Sequence, residues 1–222
     1  MATGAENFGL DPATYDLFVD WPKRLANEGP FYRELFERVG AARVLDAACG
    51  TGRHAALFHS WGLAVEGTDL SPAMIARARE LHGESDTLRW GVRPFTEPPD
   101  PPGSFDAAIC VGNSLSLAPD RAAAARGVHA LLAALRPGGV CVIHVLNLWR
   151  VAEGPLVWQK VDLSHDAADT SARWRVLIKT LHRVGDRGHL SFAELQVAGG
   201  RLIKRFDTAV TLGLTAEELA DA

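Results

Sequence analysis

The sequence predicts an α/β fold, a doubly wound and mostly parallel β-sheet with helices on both faces. Two observations lead to this prediction. From Ala41 onward, short apolar runs alternate with segments of helical periodicity, which is the pattern of repeated βαβ units. Glycine, proline, aspartate or serine residues bound each run, as expected where strands end.

The strands and helices of this sheet are predicted in order along the chain. The expected strands are Arg43–Ala47, Leu63–Gly67, Thr87–Gly91, Phe105–Val111 and Gly139–Asn147. The expected helices are Gly52–Trp61, Pro72–Leu81 and Asp120–Leu135. Ser71 is suited to cap the second helix because its hydroxyl can accept a hydrogen bond from a free N–H, and Pro72 fits the first helical position.

A helical cap is expected ahead of the sheet, over residues 1–40. Apolar residues recur at helical spacing between Tyr15 and Val39, and Gly29–Pro30 interrupts them. We therefore expect two helices that are separated at Gly29–Pro30, since proline and glycine are the residues that most often end a helix.

An antiparallel β insertion is expected after the fifth strand, over residues 150–214. Its three strands are predicted at Ala172–Val184, Leu190–Ala198 and Leu202–Leu212. Glycines in the connections at 185–188 and 199–200 can supply the positive φ angles of tight turns. Residues 215–222 begin a last helix, with Thr215 as its N-cap and Glu218 three residues later. All of these parts are expected to form one globular unit.

Composition excludes several classes of protein. The 222 residues carry 23 Lys and Arg against 27 Asp and Glu, a formal charge of −4, which argues against nucleic acid as a partner. The longest apolar stretch, Gly138–Trp149, is too short to span a membrane, and Met1–Leu10 lacks a signal pattern. Cys49, Cys110 and Cys141 show no metal-binding spacing, so we expect no metal and a reducing, cytoplasmic setting.

The segment Val44–Ala55, VLDAACGTGRHA, is the motif that indicates chemistry. A strand runs into a glycine-rich turn and then into a helix, and Gly50 and Gly52 let a ligand approach the backbone closely. Asp69 follows 17 residues after Gly52, at the end of the next strand. A carboxylate at that position can accept hydrogen bonds from both hydroxyls of a ribose, so the pattern predicts a nucleoside ligand.

A nicotinamide-dependent oxidoreductase would share this pattern, and Asp46 argues against it. Asp46 lies four residues before Gly50, where a pyrophosphate would sit, and a fixed carboxylate would repel phosphate. The same carboxylate suits a cation, such as the ammonium or sulfonium of a methionyl group.

The chain resembles the class I S-adenosylmethionine-dependent methyltransferases over a Rossmann-like core at residues 41–149. It is most similar to the small-molecule group that includes the glycine/sarcosine N-methyltransferases. The resemblance rests on Tyr15, Trp21 and Arg24, and on the segments DAACGTGRHA (46–55), DLSPAMIARAR (69–79), FDAAICVGNSLS (105–116) and LRPGGVCVIHVLN (135–147).

The resemblance implies a cofactor, S-adenosylmethionine, with S-adenosylhomocysteine as its product, and a set of residues that binds it. Asp46 and the backbone of Ala48, Gly50 and Gly52 would hold the methionyl end. Its carboxylate would pair with Arg24. The remaining cofactor contacts would come from Asp69 at the ribose, Leu70, Trp21, Asn113 and Leu115 beside the sulfonium, and Tyr15, which would close over the site.

Two departures from the family pattern are visible. An acidic residue that would bind the adenine amino group commonly follows the third strand, whereas Val92 is nearest to that position here. The family usually ends with a helix and an antiparallel hairpin, β6–β7 in its own nomenclature, whereas this sequence stops within the helix. Either the sequence is truncated or the hairpin is missing. Without it the fifth strand would be a sheet edge unless the 150–214 insertion covers it.

The expected reaction is methyl transfer to a small-molecule acceptor, an amine or a hydroxyl, by in-line displacement. Such a reaction depends on proximity and alignment, so no acid or base is obligatory. Asn113 and Tyr15 would position the reactants, with the N-terminal helices and the 150–212 segment closing the acceptor pocket. His144 is a candidate base if it faces the cleft, and a core histidine is the alternative.

Three function classes stay open at this stage. They are a methyltransferase, a non-catalytic protein that keeps the fold for binding or assembly, and a nicotinamide-dependent oxidoreductase. A homo-oligomer is also expected to be possible, since the inserted strands offer exposed edges.

Overall fold

The computed structural model describes residues 10–166, 173–198 and 201–222. Its contacts divide the chain into two compact units. The first comprises residues 11–146 and 214–222, and the second comprises Leu10 and residues 147–213. Residues 1–9 of the expected cap, Ala172 at the start of an expected strand and the turn expected at 199–200 lie outside the described residues.

The first unit is an α/β unit. Its strands are β1 (Arg43–Ala47), β2 (Ala64–Asp69), β3 (Leu88–Val92), β4 (Phe105–Cys110) and β5 (Leu135–Ile143). Its helices are α1 (Pro12–Leu17), α2 (Trp21–Val39), α3 (Arg53–Ser60), α4 (Pro72–His82), α5 (Arg121–Ala134) and α6 (Ala216–Ala220). The strand order is β3-β2-β1-β4-β5 and every neighbouring pair is parallel, which confirms the predicted sheet.

Strand β5 is shifted along the sequence from its predicted position. It begins at Leu135 and ends at Ile143, whereas the prediction was Gly139–Asn147. An irregularity in the pairing with β4 allows this early start, because Leu135 pairs with Phe105 before the regular register resumes at Val140. Within the described residues, β5 is an edge strand of its sheet.

The core of the first unit is rich in aromatic rings between α2 and α3. Phe58 is fully buried, with its ring centroid 5.2 Å from Tyr32 and 5.0 Å from Phe36. Burying a phenylalanine side chain contributes about 1.5–3 kcal/mol, so these contacts hold α2 firmly against the parallel sheet unit. This anchoring fixes the position of Arg24, which lies one turn into α2.

The predicted break at Gly29–Pro30 is wrong, because α2 continues through both residues. The two N-terminal helices are instead separated before Trp21, where the Asp20 carboxylate caps α2 by accepting a hydrogen bond from the Lys23 N–H at 3.1 Å. Buried side chains on both sides of Pro30 pack into one core. Their burial outweighs the loss of one helical hydrogen bond at proline.

The second unit is an antiparallel sheet of four strands. They are β6 (Leu156–Asp166), β7 (Arg173–Val184), β8 (Arg187–Ala198) and β9 (Arg201–Leu212), paired in that order. The expected insertion is confirmed, but β6 was not predicted. A shift of register between Trp158 and Lys160 interrupts the alternation of apolar and polar residues that identifies a strand.

The connection from β7 to β8 is a two-residue turn. Val184 pairs with Arg187, and Gly185 between them has a φ of 58°. Strand β8 therefore begins three residues before its predicted start at Leu190.

An ion-pair cluster lies within the sheet around the buried Glu194, which contacts Arg175 at 3.1 Å and Arg205 at 2.7 Å.

Helix α6 begins at a capping box. The Thr215 hydroxyl accepts a hydrogen bond from the Glu218 N–H, and the Glu218 carboxylate accepts one from the Thr215 N–H.

The three cysteines are free thiols, and burial raises the pKa of each one. They are Cys49, Cys110 and Cys141. Among the described residues no helix is both long and apolar enough to cross a bilayer.

Candidate functional site

The turn between β1 and α3 has an unusual backbone. Ala48, Gly50 and Gly52 have φ angles of 57°, 56° and 77°, in the left-handed region. The turn is tied to the end of β2, because the Cys49 N–H donates to the Thr68 carbonyl at 2.8 Å and the Gly50 N–H donates to Asp69 Oδ2 at 2.9 Å. The predicted glycine-rich turn and Asp69 therefore meet at the carboxyl edge of the sheet.

Gly52 is required for packing as well as for its φ angle. A Cβ atom at Gly52 would lie 2.5 Å from the Trp90 ring, and one at Gly67 would lie equally close to the same ring. The indole is buried, and its N–H donates to the Gly83 carbonyl at 2.7 Å. The two glycines thus make room for Trp90 beneath the turn, a role that the motif alone does not reveal.

Asp69 occupies the end of β2, where a ribose was expected. Its Oδ2 accepts a hydrogen bond from Gly50 and its Oδ1 accepts one from Ser71, both at 2.9 Å. Burial raises the pKa of this carboxyl, and the two N–H donors act in the opposite direction. A carboxylate offers about four acceptor positions, so two remain for hydroxyl donors. The adjoining Leu70 is exposed.

Asp46 is a buried carboxylate at the carboxyl end of β1. Only 2% of the residue is exposed, and its Oδ2 has no hydrogen-bond partner in the described part of the chain. Burial raises its pKa to about 6, although the charge of His54 and a hydrogen bond from the Ala55 N–H oppose the shift. An unpartnered buried acceptor is costly, so Asp46 Oδ2 is available to a hydrogen-bond donor of a ligand.

Arg24 lies in an ion-pair chain with two residues that the sequence analysis missed. Its Nε donates to Glu28 at 3.0 Å, and the other Glu28 oxygen contacts His54 Nε2 at 2.8 Å. Burial would raise the Glu28 pKa, but the His54 hydrogen bond and the Arg24 charge outweigh it and lower the pKa to about 2. Glu28 lies four residues after Arg24 on α2, a spacing that could have identified the pair.

The outer end of the Arg24 guanidinium is buried without a complete set of partners. Nη2 has no acceptor within the described residues. Both terminal nitrogens lie 3.6 Å from the position of a Cβ at Gly112, just after β4. Its ion pair with Glu28 fixes the side chain, so Nη2 is a positioned cationic donor at the carboxyl edge of the sheet.

Asp16 joins α1 to the glycine-rich turn, which the sequence analysis also missed. Its carboxylate accepts hydrogen bonds from Trp21 Nε1 at 2.8 Å, Thr51 Oγ1 at 2.7 Å and Arg53 Nη2 at 2.7 Å. The neighbouring Tyr15 thereby lies over the turn, with Cε1 at 3.9 Å from a Cβ position at Gly50. Burial raises the Tyr15 pKa, and the Arg24 charge opposes this.

Trp21 is a supporting residue in this structure. It is buried, its N–H is bound by Asp16, and its ring lies edge-on to His54 with centroids 5.9 Å apart. The Arg24 guanidinium lies 5.4 Å from the Trp21 ring. A direct contact between Trp21 and a cofactor stays a prediction.

The carboxyl end of β4 presents Asn113. Its φ of 73° is left-handed, its N–H donates to the His144 carbonyl at 3.1 Å, and its Oδ1 is buried without a partner in the described residues. Leu115 is fully buried, and its Cδ1 fills the space beside Gly127 on α5. A contact between Leu115 and a cofactor stays a prediction.

His144 lies one residue beyond β5, not within the strand as predicted. Its N–H donates to the Cys110 carbonyl at 3.0 Å. The residue is exposed, so the alternative of a core histidine is wrong. Although solvent reaches the residue, partial desolvation of the ring and the charge of Arg24 lower its pKa, so the imidazole is neutral at pH 7.

The predicted residues thus gather at one edge of the parallel sheet, with Val92 exposed beside Asp69 in the strand register.

An open depression of about 280 Å³ lies away from these residues, at the start of β1 and β2. It is lined by Arg43, Glu66 and Arg89. The described residues include no group of three or more His, Cys, Asp or Glu arranged to hold a metal ion.

The sequence matches a known family over much of this unit. Residues 44–139 match the family described as "Methyltransferase domain". The chain is 33% identical over 142 residues to the glycine/sarcosine N-methyltransferase of Parasynechococcus marenigrum, which covers 63% of this chain and 50% of that protein. A second such enzyme, from Halorhodospira halochloris, is 32% identical and is also half covered. The chain therefore spans about half the length of the curated relatives it matches.

Solved structures extend the similarity to both units. The sugar N-methyltransferase KedS8 of Streptoalloteichus superposes with a TM-score of 0.75 at 27% identity, over 92% of this chain and 80% of that one. CalS10, an amino pentose methyltransferase of Micromonospora echinaspora solved with S-adenosylmethionine bound, gives 0.73 at 26% identity, over 91% and 81%.

The geometry of the turn, the family match and the similar structures lead to one conclusion. The predicted resemblance to the class I S-adenosylmethionine-dependent methyltransferases is confirmed, and residues 44–139 match the methyltransferase domain family.

Proposed function

We propose that this chain transfers a methyl group from S-adenosylmethionine to an amine of a small molecule. One observation supports it most directly. Arg24 Nη2, Asp46 Oδ2 and Asn113 Oδ1 are buried polar atoms without partners in the described chain, and all three belong to the carboxyl edge of the parallel sheet. The free donor of Arg24 and the free acceptor of Asp46 suit the carboxylate and the ammonium at the methionyl end of the cofactor, and Asn113 Oδ1 is a further free acceptor at the same edge.

Each of these residues has a proposed role. Arg24 Nη2 donates to the cofactor carboxylate, and Asp46 Oδ2 accepts from its ammonium. Asp69 accepts from the ribose hydroxyls, while it keeps the Gly50 N–H in place. Tyr15 covers the turn, and the backbone of Ala48, Gly50 and Gly52 lies against the cofactor with no long side chain in the way.

Adenine is proposed to bind without an acidic partner. Trp90–Arg93 contains no carboxylate, Val92 is exposed, and the Arg93 guanidinium is engaged by Glu66 at 2.8 Å. Backbone groups and stacking would then hold the base. The missing hydrogen bond weakens binding by about 1 kcal/mol relative to a family member with the acid.

Bound S-adenosylmethionine supplies an activated methyl group on a positively charged sulfur. The task of this chain is to align an acceptor nitrogen with that group in the absence of water. Asn113 Oδ1 is an acceptor that can orient an amine N–H, and Tyr15 limits the space above the turn. His144 is neutral at pH 7, so it can accept the proton that the amine releases.

An amino sugar is the first acceptor to test. KedS8 and CalS10 superpose on more than nine-tenths of this chain and are, by name, a sugar N-methyltransferase and an amino pentose methyltransferase. The relatives that share the sequence of the first unit act on glycine and sarcosine by name. Glycine is the second candidate, and a hydroxyl acceptor is the third.

The decisive experiment is calorimetric titration of the chain with S-adenosylhomocysteine, with NAD as the competing ligand. We expect micromolar affinity for S-adenosylhomocysteine, none for NAD, and a loss of at least tenfold in Asp69→Ala. Asp86→Ala is the matched control, because Asp86 is fully exposed near the opposite edge of the sheet. Binding of NAD would overturn the cofactor assignment, and so would equal affinity of Asp69→Ala and Asp86→Ala for S-adenosylhomocysteine.

A non-catalytic binding protein is the second candidate function, and Val92 favours it. Labelled S-adenosylmethionine with a panel of amino sugars, glycine and sarcosine separates the two. Transfer of label to any acceptor supports the enzyme, and tight cofactor binding without transfer to the whole panel favours the binding protein.

A further inference from the structure

The two faces of the antiparallel sheet differ sharply. In a strand, alternate side chains point to opposite faces, and residues that pair across strands share a face. Val161, Ile178, Ala193 and Phe206 pair in one row across all four strands. We call the face that contains this row the apolar face. Its exposed large apolar residues are Leu156, Trp158, Val161, Leu163, Trp174, Val184, Val197, Leu202, Phe206 and Val210.

The opposite face holds most of the buried apolar side chains of the sheet, although Leu212, on the apolar face by register, is buried as well. Leu177, Leu181, Leu190 and Phe192 belong to the opposite face and are less than a tenth exposed. Glu194, with its two arginine partners, also belongs to that face. On the apolar face, by contrast, Phe206 is 72% exposed and Trp158 is 61% exposed.

The apolar face is large enough for a stable interface. Four strands spaced about 4.8 Å apart, over about ten residues of 3.4 Å each, give a plan area of roughly 650 Å². Because the side chains project from the plane of the sheet, the accessible surface area exceeds this plan area. It approaches the ~800 Å² that each partner buries in an interface of standard size. Contiguous exposed apolar patches of this size are uncommon on monomers.

We propose that the apolar face binds the same face of a second copy of this chain, forming a two-fold symmetric dimer. A twisted four-stranded sheet is complementary to another sheet of the same twist, and two such faces pack about 10 Å apart. A two-fold axis brings identical faces together, which is the commonest symmetry of soluble oligomers.

The composition of the face favours a second copy. Aromatic and branched apolar residues dominate it, as in the buried centre of homodimer interfaces. Among its described side chains there is no carboxylate, because Asp162, Glu194 and Asp207 all belong to the opposite face by register. Lys204 on β9 and Arg187 at the start of β8 belong to the apolar face by register, and both must reach solvent at its rim, as long basic side chains at an interface can.

Sedimentation analysis of the whole chain tests the proposal. We expect a mass of twice 23.9 kDa at about 10 µM and above. Phe206→Lys places a charge on the apolar face, at the most exposed of its large apolar residues, and should give a monomer. The matched control is Phe31→Lys, since Phe31 is also an exposed phenylalanine but lies on α2. This control should remain a dimer.

A second variant protects the test against misfolding. Leu163→Lys changes the same face on β6, the edge strand opposite β9. It should also give a monomer, and that monomer should unfold in a cooperative thermal transition. A wild-type chain that stays monomeric at about 100 µM overturns the proposal. Wild-type dimers that survive both lysine substitutions overturn it as well, because the contact would then lie elsewhere.

Discussion

The two units of this chain depart from ordinary burial in opposite ways. At the carboxyl edge of the parallel sheet, polar atoms of Arg24, Asp46 and Asn113 are buried and have no hydrogen-bond partner among the described residues. On the apolar face of the antiparallel sheet, large apolar side chains such as Trp158 and Phe206 are exposed. Both departures cost free energy in the isolated chain, the first through desolvation and the second through apolar surface left in water.

The comparison teaches that each departure indicates the chemistry of what is missing. Buried unpartnered polar atoms require a ligand with complementary charges and hydrogen bonds. Exposed apolar side chains require an apolar surface. The polar site is also held rigidly, by hydrogen bonds of the turn and by packing, whereas the apolar face depends on shape and area. Variants can test each half of this contrast.

The largest expected effect concerns the rigidity of the polar site. Gly52→Ala should lower the free energy of unfolding by about 2–4 kcal/mol, since a positive φ costs an alanine about 1 kcal/mol and overlap with Trp90 adds about 1–3 more. Gly62→Ala is the matched control, because Gly62 has a φ of 88° and a Cβ there would meet nothing within 4 Å. It should cost about 1 kcal/mol. Urea unfolding measures both, and equal losses would show that the Trp90 contact is unimportant.

The second effect sharpens the contrast at Arg24. Arg24→Ala should raise the dissociation constant of S-adenosylhomocysteine by roughly 10- to 100-fold, since a hydrogen bond to a charged group contributes about 1.5–3 kcal/mol. Binding of methylthioadenosine, which lacks the amino acid group, should change little. Arg33→Ala is the control on the same helix, where the guanidinium lies 4.5 Å from the Trp61 ring. Equal weakening of both ligands would contradict the carboxylate contact.

The third effect is a pH dependence at Asp46. Its pKa in the folded chain is about 6, above the ordinary value of 3.8 for an aspartate, so the folded state gains a proton before the unfolded state does as the pH falls. As the pH falls from about 6 to about 4, the contribution of Asp46 to the free energy of unfolding therefore rises by up to ~1.4 kcal/mol per pH unit. Binding of the cofactor ammonium shows the opposite trend, because it requires the ionised carboxylate.

Calorimetry across pH 5–8 checks this prediction. The dissociation constant of S-adenosylhomocysteine should rise toward tenfold per pH unit below about pH 6 and stay level above pH 7. Asp46→Asn should bind more weakly and lose most of that slope. Asp86→Asn, at its exposed position, should behave as the wild type, and an unchanged slope in Asp46→Asn would assign the titration to another group.

The smallest effect concerns the apolar face. A chain that folds as a dimer has a thermal midpoint that rises with concentration, and each tenfold increase stabilises a dimer by about 1.4 kcal/mol, or about 0.7 kcal/mol per chain. The wild type and Phe31→Lys should show this rise by calorimetry. A concentration-independent midpoint in the wild type would break the comparison, since exposed apolar surface would then have no partner.

Local patterns in the sequence were sufficient to predict much of the fold. The parallel strands, the glycine-rich turn and the capping box at Thr215 depend on neighbouring residues, so they can be recognised without tertiary contacts. The position of Asp69 beside Gly50 follows from parallel strands that end at one edge. The continuity of α2 through Pro30 could not be predicted, because it depends on burial against α3.

The unpredicted parts of the site depend on contacts between distant residues. Asp16 meets Thr51 and Arg53 across 35 and 37 positions, and Glu28 meets His54 across 26. Sequence spacing does not indicate such pairs when helices α1 and α2 can dock in several ways. Strand β6 was missed for a different reason, since the irregular register at Trp158–Lys160 hides its alternation.

The buried thiols have a practical consequence. Because the pKa values of Cys49, Cys110 and Cys141 are all raised, very little thiolate exists at neutral pH, and thiolate is the form that reacts with alkylating reagents and oxidants. These three are all the cysteines of the chain. A cysteine introduced at an exposed position would therefore be labelled selectively, so a fluorophore could be attached without first removing the native thiols.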